Sequence, residues 1–489
     1  MGNKPKGKNK ILYISISILV LIALLSIPVF FFAVPRALAF GGQKMFEAEK
    51  YESALKFYSL STTLSPKFSD GWRGKGETLI QLDEFEKAVK SFDKAIEINP
   101  KDAVAWDGMG TALNWLEEYE EALDAFNEAI EIDSEFAGAW VGKGASLSRL
   151  GEYKKALEAL DEAIEIDRDC AEAWTEKGMA LNELREYKEA MEVFEEAVSL
   201  DSGDPWAWDG LATAYNRQGE LKFNKKALDA SEKAIDLDPE DAQAWREKGV
   251  ALTFLKRHEE ALENIEKSIE LDPEDPETWA YKGYCLTWLR KYNDSLEALD
   301  ISLELYSEDD TKNASWAWTY KGHALNWLSN FDEALEAIDE ALELDSDNAM
   351  AWNERGNALN WLDRHDEALE AAENALDINP NYAAAWITKG MSLNELDRYG
   401  EAIDALDKGL ELCPEEYDEE IAWAWTYKSS AYNWLGKYNK ALDAASEALD
   451  YNPKSPAAWE EKGKALRAMG REDEAKEAFD ESRNLDADY

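Results

Sequence analysis

The sequence predicts an all-α solenoid of stacked helix pairs. Three observations carry that prediction. Tryptophan recurs at a nearly fixed interval, alanines and a large apolar residue recur at helical spacing behind each one, and the helix formers Ala, Leu, Glu and Lys dominate throughout. The series runs Trp72, Trp106, Trp140, Trp174, Trp208, Trp245, Trp279, Trp318, Trp352, Trp386, Trp425 and Trp459, with spacings of 34, 34, 34, 34, 37, 34, 39, 34, 34, 39 and 34. A period in this range marks repeated supersecondary units, each packing on its neighbours. Chain length alone would suggest about three domains. The period overrides that.

The chain divides as follows. Residues 1–10, "MGNKPKGKNK", form a tail with four lysines and no acid. Residues 11–34 hold no charge, and 24 helical residues at roughly 1.5 Å each are enough to cross a bilayer. The lysines place the tail in the cytoplasm and the remainder outside it. The expectation is a single-pass cell-membrane protein held by an uncleaved signal anchor. The alternative is secretion after cleavage at "ALA", residues 37–39. That stretch is longer than a signal core, and cleavage would remove part of the first unit. Leu38 lies 34 residues before Trp72 and opens a degenerate first unit over 35–68. Twelve tryptophan-anchored units follow over 69–489, which makes about thirteen.

Each unit contains two helices. Gly76 follows Trp72 by four residues, Ala88, Phe92 and Ala95 share one helical face, and Pro100 closes the unit. Ala122, Phe126 and Ala129 repeat the pattern, as do Ala190, Phe194 and Ala197. This order of Trp, Gly, Ala, large apolar, Ala and Pro resembles the tetratricopeptide repeat over roughly residues 35–489. The resemblance implies a right-handed superhelix whose first helices line a concave groove, and a role in binding or scaffolding other proteins rather than in catalysis. One departure is systematic: lysine stands before most of the glycines, as at Lys75, Lys143, Lys177 and Lys389. A lysine stem covers apolar surface while its ammonium reaches an acid. The family's carboxylate clamp does not transfer, because Arg73 and Arg246 are isolated and asparagine is missing two residues before the glycines.

A longer period lies inside the short one. "WAW" occurs at 206–208, 316–318 and 423–425, three units apart, and five-residue expansions precede the last two. The chain therefore grew by duplicating three-unit blocks, and a ligand contact is expected to recur on that period.

All 20 tryptophans fall into three classes. Twelve are the anchors. Five lie nine residues later, Trp115, Trp288, Trp327, Trp361 and Trp434, and three lie two residues earlier, Trp206, Trp316 and Trp423. At about 100° per residue, both offsets point nearly opposite to the anchor. The anchors are expected in the buried seam and the other eight on the groove face. Asn114, Asn326, Asn360 and Asn433 precede four of the later tryptophans, and Thr287 precedes the fifth. Asn182, Asn216 and Asn394 hold the same position without tryptophan. An aromatic plate beside an amide suits an extended or helical protein segment, and it suits a sugar ring equally. Stacking on neighbouring first helices is the competing reading for each ring.

Charge narrows the partner. The tail carries +4 and the chain −49, which leaves −53 for the rest. That balance argues against nucleic acid and favours a basic protein or peptide. The three histidines, His258, His323 and His365, show no metal spacing, and Cys170, Cys285 and Cys413 form no CxxC motif. No phosphate loop, EF-hand or other cofactor motif is present. Asn293 and Asn313 open two glycosylation sequons.

Overall fold

The structure, a computed structural model, describes residues 33–307, 309–414 and 418–486. The basic tail and all but the end of the apolar stretch lie outside those residues. Among the described residues no helix is long and apolar enough to cross a membrane.

The described residues contain 26 α-helices, which pair into antiparallel hairpins. They fall into two compact units, Met1–Pro239 and Glu240–Tyr489. The first holds α1 (Val34–Phe46), α2 (Tyr51–Leu64), α3 (Ser69–Ile80), α4 (Phe85–Ile98), α5 (Ala103–Trp115), α6 (Tyr119–Ile132), α7 (Ala137–Arg149), α8 (Tyr153–Ile166), α9 (Ala171–Glu183), α10 (Tyr187–Leu200), α11 (Pro205–Arg217) and α12 (Leu221–Leu237). The second holds α13 (Ala242–Phe254), α14 (His258–Leu271), α15 (Pro276–Trp288), α16 (Tyr292–Leu305), α17 (Thr311–Trp327), α18 (Phe331–Leu344), α19 (Ala349–Trp361), α20 (His365–Ile378), α21 (Ala383–Glu395), α22 (Tyr399–Leu412), α23 (Asp418–Trp434), α24 (Tyr438–Tyr451), α25 (Pro456–Ala468) and α26 (Glu472–Asp486). Odd-numbered helices are the first of each pair and even-numbered helices the second.

Local chemistry sets the helix ends. Asp102, Asp204, Asp241, Asp275, Asn348 and Ser455 cap first helices, their side chains accepting from backbone N–H groups of the first turn. Between the two helices of a repeat one residue turns left-handed, for example Glu117 at φ 61° and Gly151 at φ 74°. The two expansions before "WAW" lengthen first helices: α17 and α23 each have 17 residues, against 13 in α19.

The core repeats one contact. Phe126 of α6 is 1 % exposed. A Cβ on Gly110 would lie 2.8 Å from its ring, and one on Gly142 of the next repeat 2.3 Å. Only glycine on both sides leaves room for phenylalanine. Where the second helix carries a smaller residue, the facing position in the next repeat carries a larger one. Leu299 packs with Tyr320, and Ile338 is followed by Glu354 at the same offset.

The anchors depart from expectation. All twelve are half-buried rather than sealed in the seam. The N–H end of the indole stays at the turn before its helix. In most of the anchors it donates to the carbonyl six residues upstream, as in Trp72 to Pro66 (3.0 Å), Trp174 to Arg168 (2.9 Å) and Trp386 to Pro380 (2.9 Å). The lysine three residues on lies over the ring, at 5.3 Å for Lys75 and 5.6 Å for Lys389. In several repeats the ammonium then reaches an acid of the preceding second helix: Lys177 meets Asp161 at 2.7 Å and Lys389 meets Glu373 at 2.8 Å.

Candidate functional site: the inner face of the first helices

Within each unit, successive first helices touch one another, whereas successive second helices do not pack to that extent. The first helices therefore form the inner side of the stack, and their free faces are the candidate site.

The five later tryptophans end their first helices at one edge of this face. Each lies flat on the ring that opens the preceding second helix. Trp115 stacks on Phe85 (5.6 Å, 7°), Trp288 on His258 (6.0 Å, 5°), Trp327 on Tyr292 (6.1 Å, 4°), Trp361 on Phe331 (6.0 Å, 6°) and Trp434 on Tyr399 (5.9 Å, 5°). All five are nonetheless exposed, from 43 % at Trp288 to 71 % at Trp434. Packing and exposure coexist, because a stacked plate has two faces and only one is covered.

The three earlier tryptophans differ among themselves. Trp206 is exposed. Trp316 is half-buried in an aromatic wall with Tyr281 (5.1 Å), Tyr284 (5.7 Å) and Tyr320 (4.6 Å). Trp423, also half-buried, stacks on Tyr427 at 6.1 Å and presents its edge to Trp361 at 6.1 Å.

The asparagines serve the stack. Asn326 Nδ2 donates to the Glu354 carbonyl (3.1 Å) and to Glu354 Oε2 (3.2 Å), and Asn433 makes the same pair of bonds to Glu461 (3.0 and 2.8 Å). Asn182 donates to the Gly210 carbonyl at 2.9 Å. Asn114 and Asn360 accept from Ser146 (2.8 Å) and Ser392 (3.1 Å). Each ties one repeat to the next, in a ladder one residue before the plates. The buried Oδ1 of Asn182, Asn326, Asn394 and Asn433 is left without a protein partner. Thr287 is buried, with its hydroxyl between the Gly283 carbonyl (3.0 Å) and Ser295 Oγ (2.7 Å).

Charge on this face differs between the units. In the first, Asp107 on α5 feels Glu77 on α3 and Glu172 on α9. Burial, together with Glu172 and Glu77, pushes the Asp107 carboxyl up to about 7. Arg73 and Arg246, isolated in the sequence, are paired in the fold: Arg73 Nη1 with Asp102 (3.0 Å) and Arg246 Nη1 with Asp275 (2.8 Å). Both partners are N-caps of the following first helix, so these arginines tie repeats together. Burial alone would raise Asp275, but Arg246 and the hydrogen bonds from Thr278 and Glu277 hold it below its ordinary value.

The second unit holds a pair, a half-buried histidine on a buried glutamate, that the sequence did not single out. His323 Nδ1 lies 3.1 Å from Glu354 Oε2, and Trp327 Nε1 donates to His323 Nε2 at 3.1 Å. Asn353 and Asn357 also donate to Glu354, at 3.3 and 3.4 Å. Burial lowers the histidine pKa, but Glu354 outweighs it and the net shift is upward. The available signal was the alternation at one register, Gly142, Glu176, Gly210, Glu247, Tyr281, Tyr320, Glu354, which trades size with the preceding second helix.

Models of the tetratricopeptide repeat match residues 69–102, 109–169, 141–205, 210–276, 315–348, 349–382, 383–416 and 435–488. No curated protein matches the chain. Among solved structures, the crystal structure of the APC/C hetero-tetramer Cut9–Hcn1 is 16 % identical, covers 88 % of this chain and 96 % of that one, and superposes with a TM-score of 0.53. That likeness shows the fold. YrrB, described as a TPR protein with an unusual peptide-binding site, is 28 % identical over 38 % of this chain and 94 % of that one, with a TM-score of 0.32.

Proposed function

Because the chain belongs to the tetratricopeptide-repeat family, we propose that it is a protein-binding scaffold. It takes an extended or helical protein segment along the inner face of its first helices. The apolar stretch 11–34 holds it in a membrane, with the repeats on the extracytoplasmic side. The observation that carries the reading is the row of tryptophan plates. An exposed indole fixed by stacking loses little entropy on binding and offers a large apolar face, which is what interface anchors require. The carboxylates of α3, α5 and α9 favour a basic segment on the first unit, since a lysine or arginine would relieve the repulsion that Glu77 and Glu172 exert on Asp107.

Two experiments test this. Partners captured from detergent-solubilised membranes are titrated against Trp327→Ala, Trp434→Ala and the double variant, beside a glycan array. Removing one plate is expected to cost about 1 kcal/mol of stability and about 2 kcal/mol of partner affinity. Unchanged affinity, or binding confined to glycans, overturns the scaffold reading. For topology, external protease on intact cells should digest the repeats and spare a tag at residue 1. Protection of the repeats until lysis reverses the orientation, and a mature terminus at Phe40 shows a cleaved signal instead.

A further inference from the structure

Two plates of the second unit, Trp327 and Trp361, are also touched by other parts of the chain, though both stay exposed. The first turn of α23 brings Glu419 onto Arg290, which follows α15, although 129 positions separate them. The Arg290 guanidinium also lies over Trp327, at 6.0 Å from the ring centre. One turn further along α23, Trp423 meets Trp361 edge-on. Glu420, between them in the sequence, is held above its ordinary pKa by burial and by Glu419, while His323 and Lys256 pull it back down. A helix turn with two acids and an aromatic four residues after the first thus lies against the Arg290 guanidinium and the Trp361 indole, with Lys256 and the His323 imidazole within electrostatic reach. Lys256, Arg290 and His323 come from three successive repeats, and basic side chains stand out in a chain of net charge −49.

We propose that the inner face of the second unit is a docking site for an acidic helical protein segment bearing an aromatic residue one turn after its acids, and that the first turn of α23 occupies this site as an internal latch. The inference rests on the inner face being the protein-binding surface and adds the partner's chemistry and its regulation. Charge complementarity decides the class. A basic segment would face Arg290, Lys256 and His323, whereas an acidic one repeats the ion pair that Glu419 makes with Arg290. The latch belongs to the added helical turn. The equivalent turn of α17, "TKNAS", has no acid, so the feature is specific to the later block.

The probe is a labelled, end-blocked peptide of residues 418–427, "DEEIAWAWTY", titrated by fluorescence polarisation onto the full chain in detergent. The wild type should bind it weakly, because its own latch competes. Glu419→Gln with Glu420→Gln should bind at least tenfold more tightly. Adding Arg290→Ala should abolish that gain while the melting temperature stays near that of the double variant. Absence of peptide binding to the double variant overturns the proposal, as does binding indifferent to Arg290. A melting temperature lowered by the double variant without any gain in binding makes the contact a permanent staple, and also overturns it. A captured partner that depends on Trp327 but ignores Glu419→Gln with Glu420→Gln leaves the scaffold standing and removes only the latch.

Discussion

At the residue scale, position in the stack gives like side chains different chemistry. His323 and His258 show it. His323 is held above its ordinary pKa by Glu354 against the pull of burial, while burial and Lys256 hold His258 below. With only three histidines in the chain, their ring protons can be followed by NMR. His258 should titrate before His323 as pH rises, and Glu354→Gln should bring His323 down. A folded pKa raised above the unfolded value stabilises the fold at low pH, and that contribution is lost as pH rises through the folded value. The Trp327 bond to Nε2 needs the lone pair and forms only once that proton has left. Asp107 obeys the same sign. Its carboxyl rises from 3.8 to about 7 on folding, so the folded state keeps a proton the unfolded state has lost, and stability falls as pH climbs through that window. Asp107→Asn should raise the urea midpoint at pH 8, with the advantage fading toward pH 4. An equal effect at both ends would show that the carboxylate is not strained by its neighbours.

At the element scale, the unit of design is a contact between one second helix and two first helices. Phenylalanine in the middle demands glycine on both sides, and leucine or isoleucine admits tyrosine or glutamate on the far side. This exchange supplies the inner wall of the second unit with Tyr281, Tyr320 and Glu354. Leu299→Phe should overpack against Tyr320 and cost about 1–3 kcal/mol. Tyr320→Gly in that background should recover part of the loss, with a coupling of about 1 kcal/mol or more in a double-mutant cycle. Additive effects would show that the two positions do not compete for one space.

At the scale of the whole molecule, each repeat rests on its neighbours, so damage should stay local. Trp352 is half-buried, its N–H on the Ser346 carbonyl at 3.0 Å. Trp352→Ala should cost about 2–3 kcal/mol, less than the roughly 3–5 kcal/mol of a sealed aromatic. Hydrogen exchange should quicken first in α17 to α21, while α1 to α6 keep their protection. Uniform acceleration along the chain would contradict a core built from nearest neighbours.

The sequence by itself determined the repeat, the pairing of helices and which tryptophans share a class. Those properties follow from periodicity, and periodicity is a property of the chain. It also placed Trp115, Trp288, Trp327, Trp361 and Trp434 opposite the anchors, because helical angle follows from residue number. The tertiary structure decided what each side chain spends its contacts on. That the asparagines tie repeat to repeat, that Thr287 is buried, that Arg73 and Arg246 hold caps 29 residues away, and that the anchors are lids rather than seam all depend on a neighbour in another repeat. Glu419 on Arg290 is the extreme case. No local spacing encodes a contact between repeats four places apart, because it depends on the angle accumulated from one hairpin to the next.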